Sequence, residues 1–466
     1  MRFEIQLRVV TDDGEVVEDQ EALTLEKTDT RLEAIGLSLA EGKALLRCLQ
    51  QRIVTAQAGS FVDRCRRCPD CGRPLRSKGC CSVLFRSAFG DVPVASPRFH
   101  RCACGTTNSK TFSPLTQLMT GHTAPELLYL ETKWASLVAY GLTTELLKDV
   151  LPIGATANPE TIRRHLHRVA ARSEAELGDE RSSFVDGCPS LWNELPHPEG
   201  PIVVGIDGGF VRDWHDKANH FEVVVGKSVP EDRDDRYFGF VQNHDKKPKR
   251  RLSEVLQGQG LRMNQEITFL TDGGDSVRDL AKLMSPCAEH ILDWFHIAMR
   301  VTVLGQYAKG LKHHDPKQAE ETETQLEKIK WYLWNGNVRE ALFRAEWLAG
   351  DLEDLTSDYP GMKRFARTAA EFHTYIANNA GAIPNYAERR RYGERVATSF
   401  VESTVNLVVG KRFAKRQQMQ WSSKGAHLLL QTRTRALDGT LRATFARWYP
   451  GLAANDQDGS TPAAAA

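Results

Sequence analysis

Apolar residues change their spacing several times along the chain, and each change marks a different kind of element. The first residues, MRFEIQLRVVTDDGEVVEDQ, alternate apolar and polar side chains, which predicts strands rather than the basic start and apolar block of a secretory signal. From Ala124 to Arg172 the period shifts toward 3.6, placing Leu127, Leu130, Trp134, Leu137 and Val138 on one helical face. TTELLKDVLP then leads through a turn with Pro152 and Gly154 into ANPETIRRHLHRV, where Asn158 can cap a helix and Pro159 suits its first turn. Past the proline-containing GCPSLWNELPHPEGP, the run PIVVGIDGGFV is short, apolar and β-branched, as a buried strand is. FEVVVGKSV and DRYFGFVQ predict two further strands of a meander, and SEVLQGQGL a helix with its exit. EITFLTDGGDSVRDLAKL then repeats the order strand, acid, glycine, helix. From Val301 to Arg391 the chain reads helical, with Trp331, Trp334, Leu342 and Trp347 as its expected core. The pattern as a whole predicts an α/β chain with a mixed sheet.

Composition sets bounds on this picture. A chain of 466 residues has room for several domains, and with no apolar run near the roughly 20 residues of a membrane span, no membrane partner is expected. A cytoplasmic protein is the default. The formal net charge is only +1, so attraction to a polyanion has to come from local charge. Between Phe61 and Lys110 there are ten Lys or Arg against three Asp, KKPKRR at Lys246 to Arg251 adds a second basic run, and EETETQLE near Glu320 is acidic. Such segregation supports nucleic-acid contact only beside other signs, because a charge run is commonly a solvated face.

The cysteines supply one such sign. Cys68-Pro-Asp-Cys71-Gly is followed about thirty residues later by Cys102-Ala-Cys104-Gly, a spacing that lets four thiolates close a tetrahedron around structural Zn²⁺. Glycine after the second cysteine admits the left-handed backbone of a metal knuckle. CCSVLFRSAFGDVPVASPRFHRC between the pairs is rich in β-formers broken at Gly90-Asp91 and Pro97, as the hairpin of a zinc ribbon would be. Cys65 or His100 could replace one ligand. Buried free thiols are the alternative, but they would not explain paired spacing in an arginine-rich stretch.

Two acids follow apolar strands. Asp207 sits on or just after the first, and Asp272 at the carboxyl end of another. Either alone is most often a turn or helix cap, but as a pair they suit phosphodiester chemistry, which uses two divalent cations held by hard oxygen ligands. TSFVESTVNLVVGKRFAKR offers Glu402 as a third ligand on an amphipathic helix, followed by Lys411, Arg412, Lys415 and Arg416 to hold a DNA backbone. The helix pair near Asn158 resembles a helix-turn-helix, whose second helix would present Thr161, Arg163, Arg164 and His167 to phosphates and base edges.

Taken together, GIDGGF, LTDGG, the DWFH of Asp293 to His296, FVESTVNLVVGKR, MQW and KGAHLLL resemble bacterial insertion-sequence DDE transposases of the Kra type, relatives of Mutator-like and hAT elements. GLSLAEGKALL, the CPDCG ribbon and FGDVPVASPRFHRC extend the resemblance over roughly Arg2 to Arg435. It implies a ribonuclease H-like fold with a helical insertion, with Asp207, Asp272 and Glu402 as the catalytic acids holding two Mg²⁺ or Mn²⁺ ions. Glu402 is thereby preferred over Glu394 and Glu388, and Asp275 is the competitor of Asp272. Asp293 and His296 match the family's (C/D)xxH motif in an auxiliary role. The implied partners are double-stranded DNA, as terminal inverted repeats and as target, and a second copy of the chain in a homodimer. The implied setting is the bacterial cytoplasm, at the nucleoid.

The expected domains are an N-terminal hairpin and helix (1–57), a zinc ribbon (58–118) and a helix-turn-helix-like domain (119–185). A ribonuclease H-like domain follows in two parts (199–300 and 393–440) around the insertion (301–392), and then a disordered tail (450–466). Two other readings stay open. One is a non-catalytic DNA-binding regulator; the other is an actin-like ATPase or sugar kinase, whose phosphate loop GIDGGF resembles.

Overall fold

A computed structural model of the chain describes residues 1–10, 13–29, 31–104, 110–185, 200–231, 233–274, 279–281, 284–397, 399–413 and 420–452, less the side chains of Glu33, Ser399 and Glu402. These form two compact units, 1–169 with 439–466 and 170–438.

The first unit begins with an antiparallel hairpin of β1 (Arg2–Val10) and β2 (Val16–Glu26). Helix α1 (Leu39–Arg64) starts at a capping box, in which Ser38 accepts from the Glu41 N–H and Glu41 accepts from the Ser38 N–H. Its second half buries Val54, Ala58 and Val62 against Val92, Val94 and Phe99. The division expected at 57/58 therefore falls inside α1, and the helix shares a core with the cysteine-bearing segment. That segment is a three-stranded antiparallel sheet of β3 (Ser77–Ser87), β4 (Gly90–His100) and β5 (Thr111–Phe112). Pro93 and Pro97 are tolerated within β4 because β5 pairs it only at Phe99 and His100, leaving that edge open beside the prolines.

Three helices follow, α2 (Pro125–Leu137), α3 (Tyr140–Val150) and α4 (Pro159–Glu176). The buried stripe of α2 is Leu127, Leu128, Glu131, Thr132, Ala135 and Ser136 rather than the expected Leu127, Leu130, Trp134, Leu137 and Val138, and Trp134 is 40% exposed. The polar members of the stripe are satisfied locally, which is why hydrophobicity alone misplaces the face. Thr132 and Ser136 donate to carbonyls one turn back, and Glu131 meets His165 Nδ1 from α4. The helix Thr440–Trp448 returns to α2, with Phe445 edge-on to Tyr129 and Arg442 paired to Glu126. Leu452 is buried, so the expected tail at 450–466 begins with packed chain, and residues 453–466 lie outside the described residues.

The second unit is built on β6 (Ile202–Arg212), β7 (His220–Pro230), β8 (Arg236–Val241), β9 (Ile267–Thr271) and β10 (Ala288–Leu292). Their order is β10-β9-β6-β7-β8, with β6, β7 and β8 antiparallel and β9 and β10 parallel to β6, so the sheet is mixed as expected. Ile202, Val204 and Ile206 of β6 pack with Phe238, Phe240 and Phe269 against Leu252 and Leu256 of α5 (Pro248–Gly258). Alternation along a strand then sends Gly205, Asp207 and Gly209 to the other face.

The helices α6 (Trp294–Leu311), α7 (Pro316–Trp334), α8 (Val338–Asp354), α9 (Met362–Asn378) and α10 (Tyr386–Arg391) lie between β10 and the last sheet-covering elements. The boundary expected at 300/301 falls inside α6. Leu326, Ile329, Leu333, Ala345, Phe365 and Ile376 build their core. Trp334 and Leu342 are half-buried against it, but Trp331 and Trp347 are 61% and 62% exposed, contrary to expectation. The inward stripe of α7 is carried by aliphatic residues three and four apart, and Trp331 falls off it. Helix α11 (Ser399–Val405) then crosses the sheet, and α12 (Ser423–Leu437) covers β8. Among the described residues, no helix is long and apolar enough to cross a membrane.

Candidate active site and cysteine cluster

Asp207 lies in the middle of β6, not at its end, and Asp272 is the first residue past β9. Ile206 pairs with Thr271 on the adjacent parallel strand, so Asp207 on β6 and Asp272 just past β9 each follow the last paired position. Each carboxylate is oriented by main chain: Asp207 Oδ1 accepts from Gly208 N at 2.7 Å, and Asp272 Oδ1 accepts from Gly274 N at 3.0 Å. Burial pushes the Asp207 carboxyl above the usual range, with the charges of Asp272 and Asp293 adding to it and the Gly208 N–H and His296 opposing it. A third acid, Glu222 on β7, is raised as well, by burial and then by Asp272 and Asp207. Its Oε1 lies 2.8 Å from where a side chain on Gly208 would begin. Sequence reasoning passed over Glu222, although an acid inside the apolar strand HFEVVVGKSV was a visible signal.

Helix α11 reaches this place because the strand beneath it is bare. A Cβ on Gly205 would sit 1.9 Å from Val401, and one on Gly209 would sit 3.5 Å from Val405, so the helix rests on the two glycines that flank Asp207 on the same face. Glu402 follows Val401 on this helix; its side chain, like the whole of Asp275, lies outside the described residues. Asp293 is fully buried and caps α6, its Oδ1 accepting from Phe295 N at 2.8 Å while its own N–H donates to Thr271 O at 2.8 Å. His296 Nε2 stands 3.9 Å from Asp293 Oδ2, an ion-pair distance rather than a hydrogen bond.

A second cluster was not anticipated. Glu174, Asp245 and His427 bring ligand atoms within 4.8 Å of one another, a donor set that could hold a metal. The buried Arg251 already fills the centre, donating to Glu174 at 2.8 and 3.0 Å, to Asp245 at 2.9 Å, and to Gln431. Burial pushes Glu174 up, but hydrogen bonds from His427 and Arg251 outweigh it and hold the carboxyl at about 2. A cation entering here would face the guanidinium, so the cluster closes on itself as an ion network.

In the first unit the four expected cysteines converge. Cys68 and Cys104, Cys71 and Cys102, and Cys71 and Cys104 each place their sulfurs 3.5 Å apart. A tetrahedron with Zn–S bonds of about 2.3 Å has edges of roughly 3.8 Å, so a zinc ion fits this set with little movement. Cys68 N donates to Arg73 O and Gly72 N to Cys68 O, and Gly72 takes the left-handed φ of 69° its place in the knuckle calls for. Hydrogen bonds from Cys104 and Cys71 bring the Cys102 thiol down to about 7, whereas Cys104, facing Cys102 and Cys68, is pushed up. Neither Cys65 nor His100 belongs to the group.

The residues expected to meet DNA divide. On α4 the Asn158 side chain accepts from Thr161 N at 2.9 Å, the expected cap, and Ile162, Leu166 and Val169 are buried. Arg164 is exposed, Thr161 and His167 are half-exposed, and Arg163 is held bidentate by Glu160 at 2.8 Å. Lys411 is exposed, but Arg412 is 0% exposed with its guanidinium 5.1 Å from the Trp421 ring, so its expected contact with DNA is withdrawn. Burial and Arg412 bring the neighbouring Arg433 down to about 10, and Arg433 donates to Val408 O at 2.8 Å. Arg412 thus serves the interior where the sequence suggested a basic surface. Lys415 and Arg416 lie outside the described residues. Comparison with known proteins gives no matching family model and no matching curated relative.

Proposed function

We propose that the chain is a DNA transposase resembling the Kra type of insertion-sequence enzyme, which cleaves transposon ends and joins their 3′ hydroxyls to target DNA. The observation that carries this reading is the meeting of Asp207 and Asp272 on neighbouring parallel strands, under the helix that bears Glu402. The sheet supports the ribonuclease H-like part of the proposal, since a first strand placed centrally beside the fourth is what brings acids from both together. Repulsion between half-buried carboxylates is the mark of a site suited to a hard divalent cation, and it contributes at Asp207.

Asp207 and Asp272 would hold Mg²⁺ or Mn²⁺ from the strands and Glu402 from the helix, and bound ions would supply activation of the attacking hydroxyl and neutralisation of charge at the phosphate. The Gly208 and Gly274 N–H groups fix the two carboxylates before any ion arrives, which limits reorganisation during the reaction. Asp293 positions the start of α6, and with it His296, at the edge of the acids. Zn²⁺ on Cys68, Cys71, Cys102 and Cys104 would be structural. Thr161, Arg163, Arg164 and His167, together with Lys411, form the DNA-contacting set; releasing Arg163 from Glu160 is part of binding. A homodimer on paired ends, in the bacterial cytoplasm, completes the reading.

The test is substitution. Asp272→Asn and Glu402→Gln proteins are assayed for nicking and joining of terminal-repeat DNA with Mg²⁺, and loss of both activities is expected. Wild-type rates in either variant would overturn the assignment.

A further inference from the structure

Asp272 stands one residue beyond the last ladder position of β9, so the sheet does not fix it. Local bonds hold its carboxylate to Gly274 N and the next N–H to Thr271 Oγ1 at 3.1 Å, and its carbonyl is held by the end of α9, in the helical insertion. Tyr375 Oη donates to the main-chain oxygen of Asp272 at 2.9 Å. One turn on, Asn379 anchors its amide by donating Nδ2 to Tyr375 O at 2.9 Å. Its Oδ1 lies 2.7 Å from where a Cβ on Gly273 would be, a position that Leu292 also approaches to 2.7 Å. Gly273 has a φ of +83°, and only glycine fits between these neighbours. That amide oxygen is buried and, among the described residues, has no hydrogen-bond partner. Such groups are costly, and a retained one marks a place where position outweighs local stability. Arg300 of α6 lies 4.0 Å over the Tyr375 ring, a cation–π contact that braces it.

The structure assigns to Tyr375 and Asn379 the role of positioning residues for Asp272: together they clamp the Asp272–Gly273 peptide and make the helical insertion a working part of the acid site. The proposal rests on the reading of Asp272 as a metal ligand. An insertion that only spaced α11 from β10 in sequence would need neither contact. Clamped in this way, the acid follows any shift of α9.

Mn²⁺ binding to the full chain, followed by calorimetry and by the spin-resonance signal of free Mn²⁺, tests the clamp without relying on turnover. Tyr375→Phe deletes only the hydroxyl, and a roughly 10-fold weaker Mn²⁺ affinity is expected, the usual order for losing a group that orients a ligand. Asn379→Ala should weaken binding similarly. Thr374→Val, which deletes a neighbouring hydroxyl bonded to Ala370 O, should bind as wild type, with thermal melting following the fold in each case. If Tyr375→Phe melts early, Asn379→Ala decides. Wild-type Mn²⁺ affinity in both clamp variants, while Asp272→Asn loses binding, overturns the clamp alone. Undiminished binding in Asp272→Asn overturns the ligand assignment beneath it.

Discussion

Val401 occupies the space that a side chain on Gly205 would need, its Cγ2 lying 1.9 Å from a Cβ built on that glycine. The contact seats α11 directly on β6, two residues from Asp207. Gly205→Ala should cost about 1–3 kcal/mol through overpacking and lift the helix that carries Glu402. Denaturant melts and a joining assay would report both effects, and adding Val401→Ala should restore stability toward wild type. A Gly205→Ala protein with unchanged midpoint and activity would contradict the seating.

Asp207 gives the second unit a pH dependence of known sign. Its folded pKa is raised by burial, so the native state binds the proton more tightly than the unfolded chain. Metal-free stability should therefore fall as pH rises from about 4 through the raised pKa and then level off. Thermal melts without metal should show this decline, and Asp207→Asn should flatten it and melt higher at pH 7. Added Mn²⁺ should reverse the decline in wild type and not in the variant.

The cysteine cluster predicts one zinc per chain. Elemental analysis of purified protein should find it, and Cys71→Ser or Cys102→Ser should each remove it. Because the four thiolates would tie two separate turns together, metal loss should appear as a lowered first melting step, in line with metal binding that is coupled to folding. Intact zinc stoichiometry in either variant would count against the four-sulfur site.

Arg251 is the hub of the buried ion network. Arg251→Ala leaves Asp245 and Glu174 without their cation and should destabilise by roughly 3–5 kcal/mol. Glu174, held at about 2, contributes stability that is complete above its unfolded range and lost as pH falls from about 4.5 toward 2, so wild type and variant should converge in acid. Equal stability at pH 7 would show that the network contributes nothing net.

Much of the second unit was legible because strands and glycines carry their reasons locally: the β-branched runs became β6, β7 and β9, and Gly205 and Gly209 of GIDGG became the floor for α11. The cysteine set was equally plain from spacing. What escaped was set by tertiary context. Arg412 reads as surface charge but is buried with its guanidinium 5.1 Å from the Trp421 ring. The buried face of α2 is polar because Glu131 has His165, a partner 34 residues away. Tyr375 and Asn379 carry no motif at all, since their value lies in reaching a peptide about a hundred residues earlier.

The seat of α11 on β6 also orders events during synthesis. Some 195 residues separate Gly205 from Val401, including the whole helical insertion, so the sheet face beside Asp207 stays uncovered until the ribosome has passed residue 401. A chain terminated before that point has both acids and an open apolar surface, which favours aggregation and proteolysis. The distance between strand and helix thus acts as a delay: the face that carries Asp207 is covered only when nearly all of its unit has been made.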